Sequence, residues 1–180
     1  IGLPGDTRET LRAIIDVLKG EIGEHGRTQS GLREEIAQTK SAWLKEWIPM
    51  LTSSDEPLSP YRVIWEIDQT LDRENSIVTH DAGHPRDQIM PFYTATKPHS
   101  YIGWGKSTQL GHSLGLIMGA KMAEPSKLAI NVMGDAAFGM VGLDFETCVR
   151  ENIPILTILL NNSGMGIYGP AQFPIAQERY

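Results

Sequence analysis

The sequence predicts an α/β fold, a parallel sheet with helices on both faces. From residue 76 onward, short apolar segments alternate with helix-like segments, which is typical of chains that build a parallel sheet. The segment "ILTILL" (155–160) is continuously apolar rather than alternating, which indicates a strand covered on both faces. The length of 180 residues fits a chain that can bury a sizeable core.

The first part of the chain predicts helices joined by polar connectors. A first helix begins after Asp6, which stands three residues before a glutamate as in a capping box, and it ends at Gly20. A Gly-rich connector follows, and a second helix covers 31–48. After a proline-containing connector, Ser59 and Pro60 predict the N-cap and first residue of a third helix.

The second part predicts strands and helices in alternation. The segments "SIVTHD", "KLAINVMGD" and "IPILTILLNN" predict strands, and "TQLGHSLGLIMGAKMA" and "GLDFETCVREN" predict helices. The segment "GHPRDQIMPFY" predicts a loop with one helical turn. A single helix between the last two strands would form a right-handed crossover, so these strands are expected to be neighbours.

Composition narrows the classes of function. The net charge of −6 argues against a nucleic-acid-binding surface, which would be basic. No apolar run reaches the ~18 residues that a membrane helix needs, so no membrane partner is expected. Cys148 is the single cysteine, which fits a cytoplasmic protein, and we expect it to be buried and inert. The chain begins without Met, which predicts a piece of a longer protein.

Two polar motifs follow the last two predicted strands. "GDAAFG" (134–139) follows one strand and "NNSG" (161–164) follows the next. Because the carboxyl ends of parallel strands meet at one edge of a sheet, Asp135 and Asn162 are expected to lie close together. Their carboxylate and amide oxygens, with a backbone carbonyl, suit Mg²⁺. "GDAA" also opens a helix whose N–H groups can hold phosphate. The pattern therefore predicts a metal-bridged diphosphate site, whereas either motif alone would be read as a helix cap or a turn.

These motifs carry a resemblance to a known family. "GDAAFGMVGLDFETCVRENIPILTILLNNSGMGIYG" is similar to the thiamine diphosphate motif of acetolactate synthase-like enzymes, which begins with Gly-Asp-Gly or a close variant and ends in Asn-Asn. "THDAGHPRDQIMPFY" resembles the family's loop that meets the diphosphate. "STQLGHSLGLIMGA" resembles the segment under the thiamine. The resemblance covers about residues 75–180, and 1–20 more loosely.

The resemblance implies roles for particular residues. Asp135, the Asn162 side chain and the Gly164 carbonyl would bind Mg²⁺. The positions that would contact thiamine diphosphate are Gly83, His84, Leu110, Gly134, Asp135, Ala136, Ala137, Asn162, Gly164, Gly166 and Ile167. Leu110 stands where the family has a bulky apolar residue that bends the cofactor, bringing its 4′-amino group near the thiazolium C2.

Other interpretations of some of these residues stay open. Without the resemblance, Leu110 would be read as core and His84 as an ordinary loop residue, and His80 and His112 are read as structural. Ala136 departs from the family, which most typically has Gly there. Pro85 also departs, because a polar side chain is common at that position.

The resemblance further implies a fragment of a larger enzyme. Residues 1–20 would be the tail of a middle domain, 21–58 a linker with a helix, and 59–180 the thiamine diphosphate-binding domain, incomplete at its C-terminus. The activating glutamate is expected on a missing N-terminal domain. No catalytic residue is therefore assigned here, and the fragment alone is expected to be inactive.

The expected parent is a thiamine diphosphate- and Mg²⁺-dependent lyase or transferase, working as a homodimer or tetramer. It would make or break a C–C bond next to the carbonyl of a 2-oxo acid, as in acetolactate synthase-like decarboxylation and carboligation. One alternative is a 2-hydroxyacyl-CoA lyase or oxalyl-CoA decarboxylase-like enzyme with an acyl-CoA-type substrate. An alternative of another class is a non-catalytic α/β nucleotide-binding or assembly module.

Overall fold

A computed structural model describes residues 2–26, 31–103 and 109–165. The chain forms two compact units, Ile1–Trp47 and Ile48–Tyr180. Its helices and strands follow the order α1 (Thr7–Ile22), α2 (Leu32–Leu51), α3 (Pro60–Thr70), β1 (Ser76–His80), α4 (His84–Ile89), β2 (Tyr101–Ile102), α5 (His112–Ala123), β3 (Leu128–Gly134), α6 (Asp135–Val141), α7 (Asp144–Arg150) and β4 (Leu156–Leu160).

The first helix starts where the sequence predicts and ends later. The Asp6 carboxylate accepts the Glu9 N–H at 3.1 Å, which confirms the N-cap. Glu9 itself pairs with Arg12 at 2.9 Å. The predicted end at Gly20 is wrong, because a glycine inside a helix costs only about 1 kcal/mol relative to alanine. Gly23, with a φ of 76°, is the C-cap instead.

The first two helices differ in whether their apolar side chains are buried. α1 buries none of its residues, and the side chains of its apolar stripe are all exposed: Leu11, Ile14, Ile15 and Leu18. α2 runs past the predicted end at 48 and includes Pro49. Its last residue, Leu51, is fully buried, and burying a leucine contributes about 1.5–3 kcal/mol, which offsets the hydrogen bond that proline removes.

The sheet has four described strands, all parallel, in the order β2-β1-β3-β4. β1 and the middle of β3 are buried at successive positions, so both of their faces are covered. On one face, Ile117 of α5 packs into a core cluster with Ile77 and Ala129. Helices α4, α5 and α6 all contact the sheet. The predicted fold class, a parallel α/β sheet with packed helices, is confirmed.

Three details of the sheet differ from the prediction. β4 lies at the edge of the described sheet, and Leu156 and Leu159 are 47% and 41% exposed, so the predicted coverage of both its faces is wrong for the part of the chain that the structure describes. Two helices, α6 and α7, replace the single predicted helix between β3 and β4, because α6 stops at Gly142. β2 was not predicted, since two residues carry no periodic pattern.

Candidate functional site

The ends of β3 and β4 bring the two predicted metal side chains to one edge of the sheet. The strands pair in parallel with Gly134 opposite Leu160. Asp135 directly follows β3 as the first residue of α6, and Asn162 follows β4. Neighbouring strands lie about 4.8 Å apart. The observed register therefore places Asp135 and Asn162 just beyond the carboxyl ends of neighbouring strands.

The loop after β4 presents its amides through two successive turns. The Asn161 side-chain oxygen accepts the Ser163 N–H at 2.9 Å, and the Asn162 side-chain oxygen accepts the Gly164 N–H at 3.2 Å. Ser163 has a φ of 56°, and the loop is exposed. An amide oxygen has two acceptor positions, so Asn162 keeps one for a cation. Asn161 fixes the turn, as asparagine commonly does.

The end of β1 approaches the same edge from the other side of β3. Gly83 is the N-cap of α4 and has a φ of 77°, and His84 is the first residue of that helix. A Cβ placed on Gly134 would lie 3.9 Å from Cγ of Pro85. This proximity brings the Gly83–His84 connection to the end of β3.

The remaining predicted contacts lie at helix starts or beyond the described residues. Ala136 is half-buried and Ala137 is buried in α6. Leu110 is half-buried in the turn before α5. Gly166 and Ile167 lie outside the described residues. The structure thus brings the connections after β1, β3 and β4 to one edge.

Asp81 is a residue that the sequence patterns did not single out. It follows β1, its side chain is fully buried, and its carboxylate accepts the backbone N–H of Gly111 at 3.0 and 3.1 Å. It also accepts the Ser113 hydroxyl hydrogen at 2.5 Å. These partners lie 30 and 32 residues away along the chain, so no local pattern could show them.

Two histidines lie near this carboxylate, the buried His80 and the half-buried His112. Burial lowers the pKa of His80 and of His112 below the ordinary value of 6.5. Nδ1 of His80 donates to the Asp81 carbonyl oxygen at 3.1 Å. Nδ1 of His112 donates to the Gln109 carbonyl oxygen at 3.2 Å and lies 3.9 Å from the Asp81 carboxylate. The reading of both histidines as structural fits these contacts.

The donor set at the sheet edge suits a hard cation shared with a ligand. In ranges 2–26, 31–103 and 109–165 no group of three or more His, Cys, Asp or Glu side chains could hold a metal. A cation beside Asp135 would therefore be bound by one carboxylate together with amide and carbonyl oxygens. Mg²⁺ typically takes one or two carboxylates and completes its shell with water and phosphate oxygens. The residues present fit a Mg²⁺–diphosphate pair.

Fold and site together define an α/β domain that presents carboxylate and amide side chains at the carboxyl edge of a parallel sheet. The family model described as "Thiamine pyrophosphate enzyme, C-terminal TPP binding domain" matches residues 81–180. The chain belongs to this family, which confirms the resemblance drawn from the motifs.

The curated relatives align with most of this chain, but the aligned part is a small share of their own length. A probable acetolactate synthase of Mycobacterium bovis is 29% identical over 174 residues, which is 97% of this chain and 30% of the relative. The mitochondrial acetolactate synthase of Schizosaccharomyces pombe is 31% identical over 141 residues, 76% of this chain and 21% of that protein. A 3D-(3,5/4)-trihydroxycyclohexane-1,2-dione hydrolase of Bacillus cereus is 30% identical over 187 residues, 89% of this chain and 28% of that protein. The chain spans less than a third of these relatives.

Within the described residues, no helix is both long and apolar enough to cross a membrane.

Proposed function

We propose that this chain is the diphosphate- and Mg²⁺-binding portion of a thiamine diphosphate-dependent enzyme that makes or breaks a C–C bond next to a 2-oxo acid carbonyl. The observation that carries the proposal is the β3–β4 register, which delivers Asp135 and Asn162 to the same edge of the sheet. Acetolactate synthases among the relatives favour acetolactate synthase-like decarboxylation and carboligation.

Each part of the site has a separate task in this proposal. The Asp135 carboxylate, the Asn162 amide oxygen and the Gly164 carbonyl hold Mg²⁺. The residues that contact the cofactor are Gly83, His84, Leu110, Gly134, Asp135, Ala136, Ala137, Asn162, Gly164, Gly166 and Ile167. Thiamine diphosphate, when bound, supplies the electron sink for C–C chemistry, and the chain supplies binding and orientation.

The organisation of the parent protein is part of the proposal. Residues 1–20 are the tail of a middle domain, 21–58 a linker with a helix, and 59–180 the cofactor-binding domain. The uncovered apolar stripe of α1 supports the first assignment, because a helix that packs in a domain normally buries such a stripe. We place the parent in the cytoplasm as a homodimer or tetramer. A single buried, free Cys148 fits a reducing compartment.

The test is calorimetric titration of the full-length protein with thiamine diphosphate, with and without MgCl₂. Asp135→Ala is expected to weaken Mg²⁺-dependent binding by at least about 100-fold, since even outer-shell changes at metal sites cost 10–100-fold. Asp144→Ala is the matched control, because Asp144 is also the first residue of a short helix but follows no strand. Absence of Mg²⁺-dependent binding by the wild type would refute the proposal, and equal binding by Asp135→Ala would refute the metal assignment.

A further inference from the structure

The Asp81 carboxylate joins the end of β1 to the start of α5. It accepts the Ala82 N–H at 2.9 Å and the Ser113 N–H at 3.1 Å, besides the Gly111 N–H and the Ser113 hydroxyl. Ser113 is fully buried, as is Asp81. Every one of these partners is a donor, so the arrangement requires an acceptor at both side-chain oxygens. The carboxylate also faces the positive N-terminal end of α5, which stabilises its charge.

The turn before α5 that this carboxylate holds also packs against the end of α6. Gly111 has a φ of 89°, and a Cβ built on it would lie 2.5 Å from Cγ1 of Val141, the last residue of α6. Helix α6 begins with Asp135. The residue next to Leu110 is therefore fixed from β1 by hydrogen bonds and from α6 by packing. Neither restraint acts on the Leu110 side chain itself, so both act through the backbone.

We infer that Asp81 is a positioning residue: its carboxylate holds the Leu110–Ser113 turn so that Leu110 stays at a fixed place at the carboxyl edge of the sheet, where it would contact thiamine diphosphate. The inference rests on the proposed function, because it gives Leu110 a cofactor to support. It adds a residue that touches neither cofactor nor metal and acts through the backbone of Leu110 and Gly111.

A substitution that keeps the volume of Asp81 but changes its hydrogen bonding can distinguish the positioning role from simple packing. Asp81→Asn keeps the volume and one acceptor oxygen but turns an NH₂ group toward N–H and O–H donors. The turn then loses at least one of its hydrogen bonds while β1 and α5 keep their apolar contacts. Asp68 offers a matched control, because it is another buried carboxylate that accepts a distant backbone N–H, that of Thr94 at 3.0 Å, and pairs with Arg73 at 2.8 Å.

The experiment compares four variants of the full-length protein: Asp81→Asn, Leu110→Ala, their double variant and Asp68→Asn. Amide hydrogen exchange without cofactor reports on the Gly111 and Ser113 N–H groups directly. With thiamine diphosphate and MgCl₂, the rate of hydrogen–deuterium exchange at the cofactor's C2 reports on its orientation, and calorimetry gives its affinity. Thermal unfolding of each variant measures any general loss of stability.

Asp81→Asn is expected to speed amide exchange of Gly111 and Ser113 at least 10-fold and to slow C2 exchange at least 10-fold. Asp68→Asn is expected to lower the melting temperature while changing C2 exchange by less than 2-fold. In the Leu110→Ala background, Asp81→Asn is expected to change C2 exchange by less than 2-fold, because the residue through which it acts is already absent. Should Asp81→Asn not fold, Ser113→Ala removes only the hydroxyl donor, and it should slow C2 exchange 2- to 10-fold with the same dependence on Leu110.

The outcomes separate this inference from the proposed function. If the wild type binds thiamine diphosphate but Asp81→Asn slows C2 exchange no more than Asp68→Asn does, the positioning role is overturned and the cofactor assignment stands. The same holds if the effects of Asp81→Asn and Leu110→Ala multiply independently. If the wild type binds no thiamine diphosphate, both are overturned.

Discussion

Replacing Gly111 with alanine perturbs the turn beside the proposed site in a way whose size follows from the structure. The φ of 89° lies in the left-handed region, where a residue with a Cβ pays roughly 1–2 kcal/mol. The new Cβ would also lie 2.5 and 3.1 Å from the two Cγ atoms of Val141, and overpacking of this kind costs about 1–3 kcal/mol. Gly111→Ala is therefore expected to lower the free energy of unfolding by about 2–5 kcal/mol, a large part of the ~5–15 kcal/mol typical of a domain.

Urea denaturation of paired variants separates the two causes. Val141→Ala removes both Cγ atoms, so in that background Gly111→Ala should cost only the backbone strain of about 1–2 kcal/mol. Gly115→Ala is the matched control, since Gly115 lies within α5, has nothing within 4 Å of the added Cβ and has no positive φ. It should stabilise by about 0.5–1 kcal/mol.

Two results would refute this reasoning. One is a Gly111→Ala variant whose stability lies within about 0.5 kcal/mol of the wild type, which is the scatter of ordinary surface changes. The other is an equal cost of Gly111→Ala with and without the Val141 side chain, which would show that the packing of α6 against the turn does not matter.

Two further predictions concern the core and its histidine. Ile117→Ala, in the cluster under α5, should cost about 2–5 kcal/mol in urea denaturation, whereas Leu143→Ala, at a position 91% exposed, should change stability by less than about 0.5 kcal/mol; similar costs would contradict the assigned core. Because burial lowers the pKa of His80 below 6.5 in the folded chain, the unfolded chain binds a proton first on acidification. The free energy of unfolding should therefore fall as the pH drops through about 6.5, and His80→Gln should flatten this dependence; an unchanged slope would remove His80 as its cause.

Much of the fold was predictable because its signals are local. Asp6 marks a helix start by its capping side chain and Pro60 by its fixed backbone angle, and the apolar segments of β1, β3 and β4 are long enough to show as strands. The errors arose where one local signal outweighed another. Gly20 looked like a helix end because the sequence alone cannot show that Gly23 would adopt the capping conformation instead.

The apolar pattern of β4 illustrates a different limit. Its continuous apolar side chains indicate two covered faces, yet Leu156 and Leu159 are exposed at the edge of the described sheet. An apolar pattern indicates which faces of a strand can be buried. It does not indicate which neighbouring element covers them.

Some residues at the site could be predicted from the sequence and others could not. Asp135 and Asn162 could be paired from sequence, because each follows a strand and the crossover rule makes those strands neighbours. Asp81 could not be found, since a buried carboxylate is recognised by its donors, and those come from the start of α5. Whether the paired residues hold Mg²⁺ stays a prediction.

The position of β4 at the edge of the described sheet affects how readily this strand unfolds locally. Among the described strands, β4 pairs only with β3, whereas β1 and β3 are each paired on both sides, so β4 is expected to fray more readily than those two strands. Fraying would carry Asn162 away from Asp135. A cation and diphosphate that bind Asp135 and Asn162 together would hold β4 against β3. Local unfolding of β4 would then be suppressed in proportion to their free concentration.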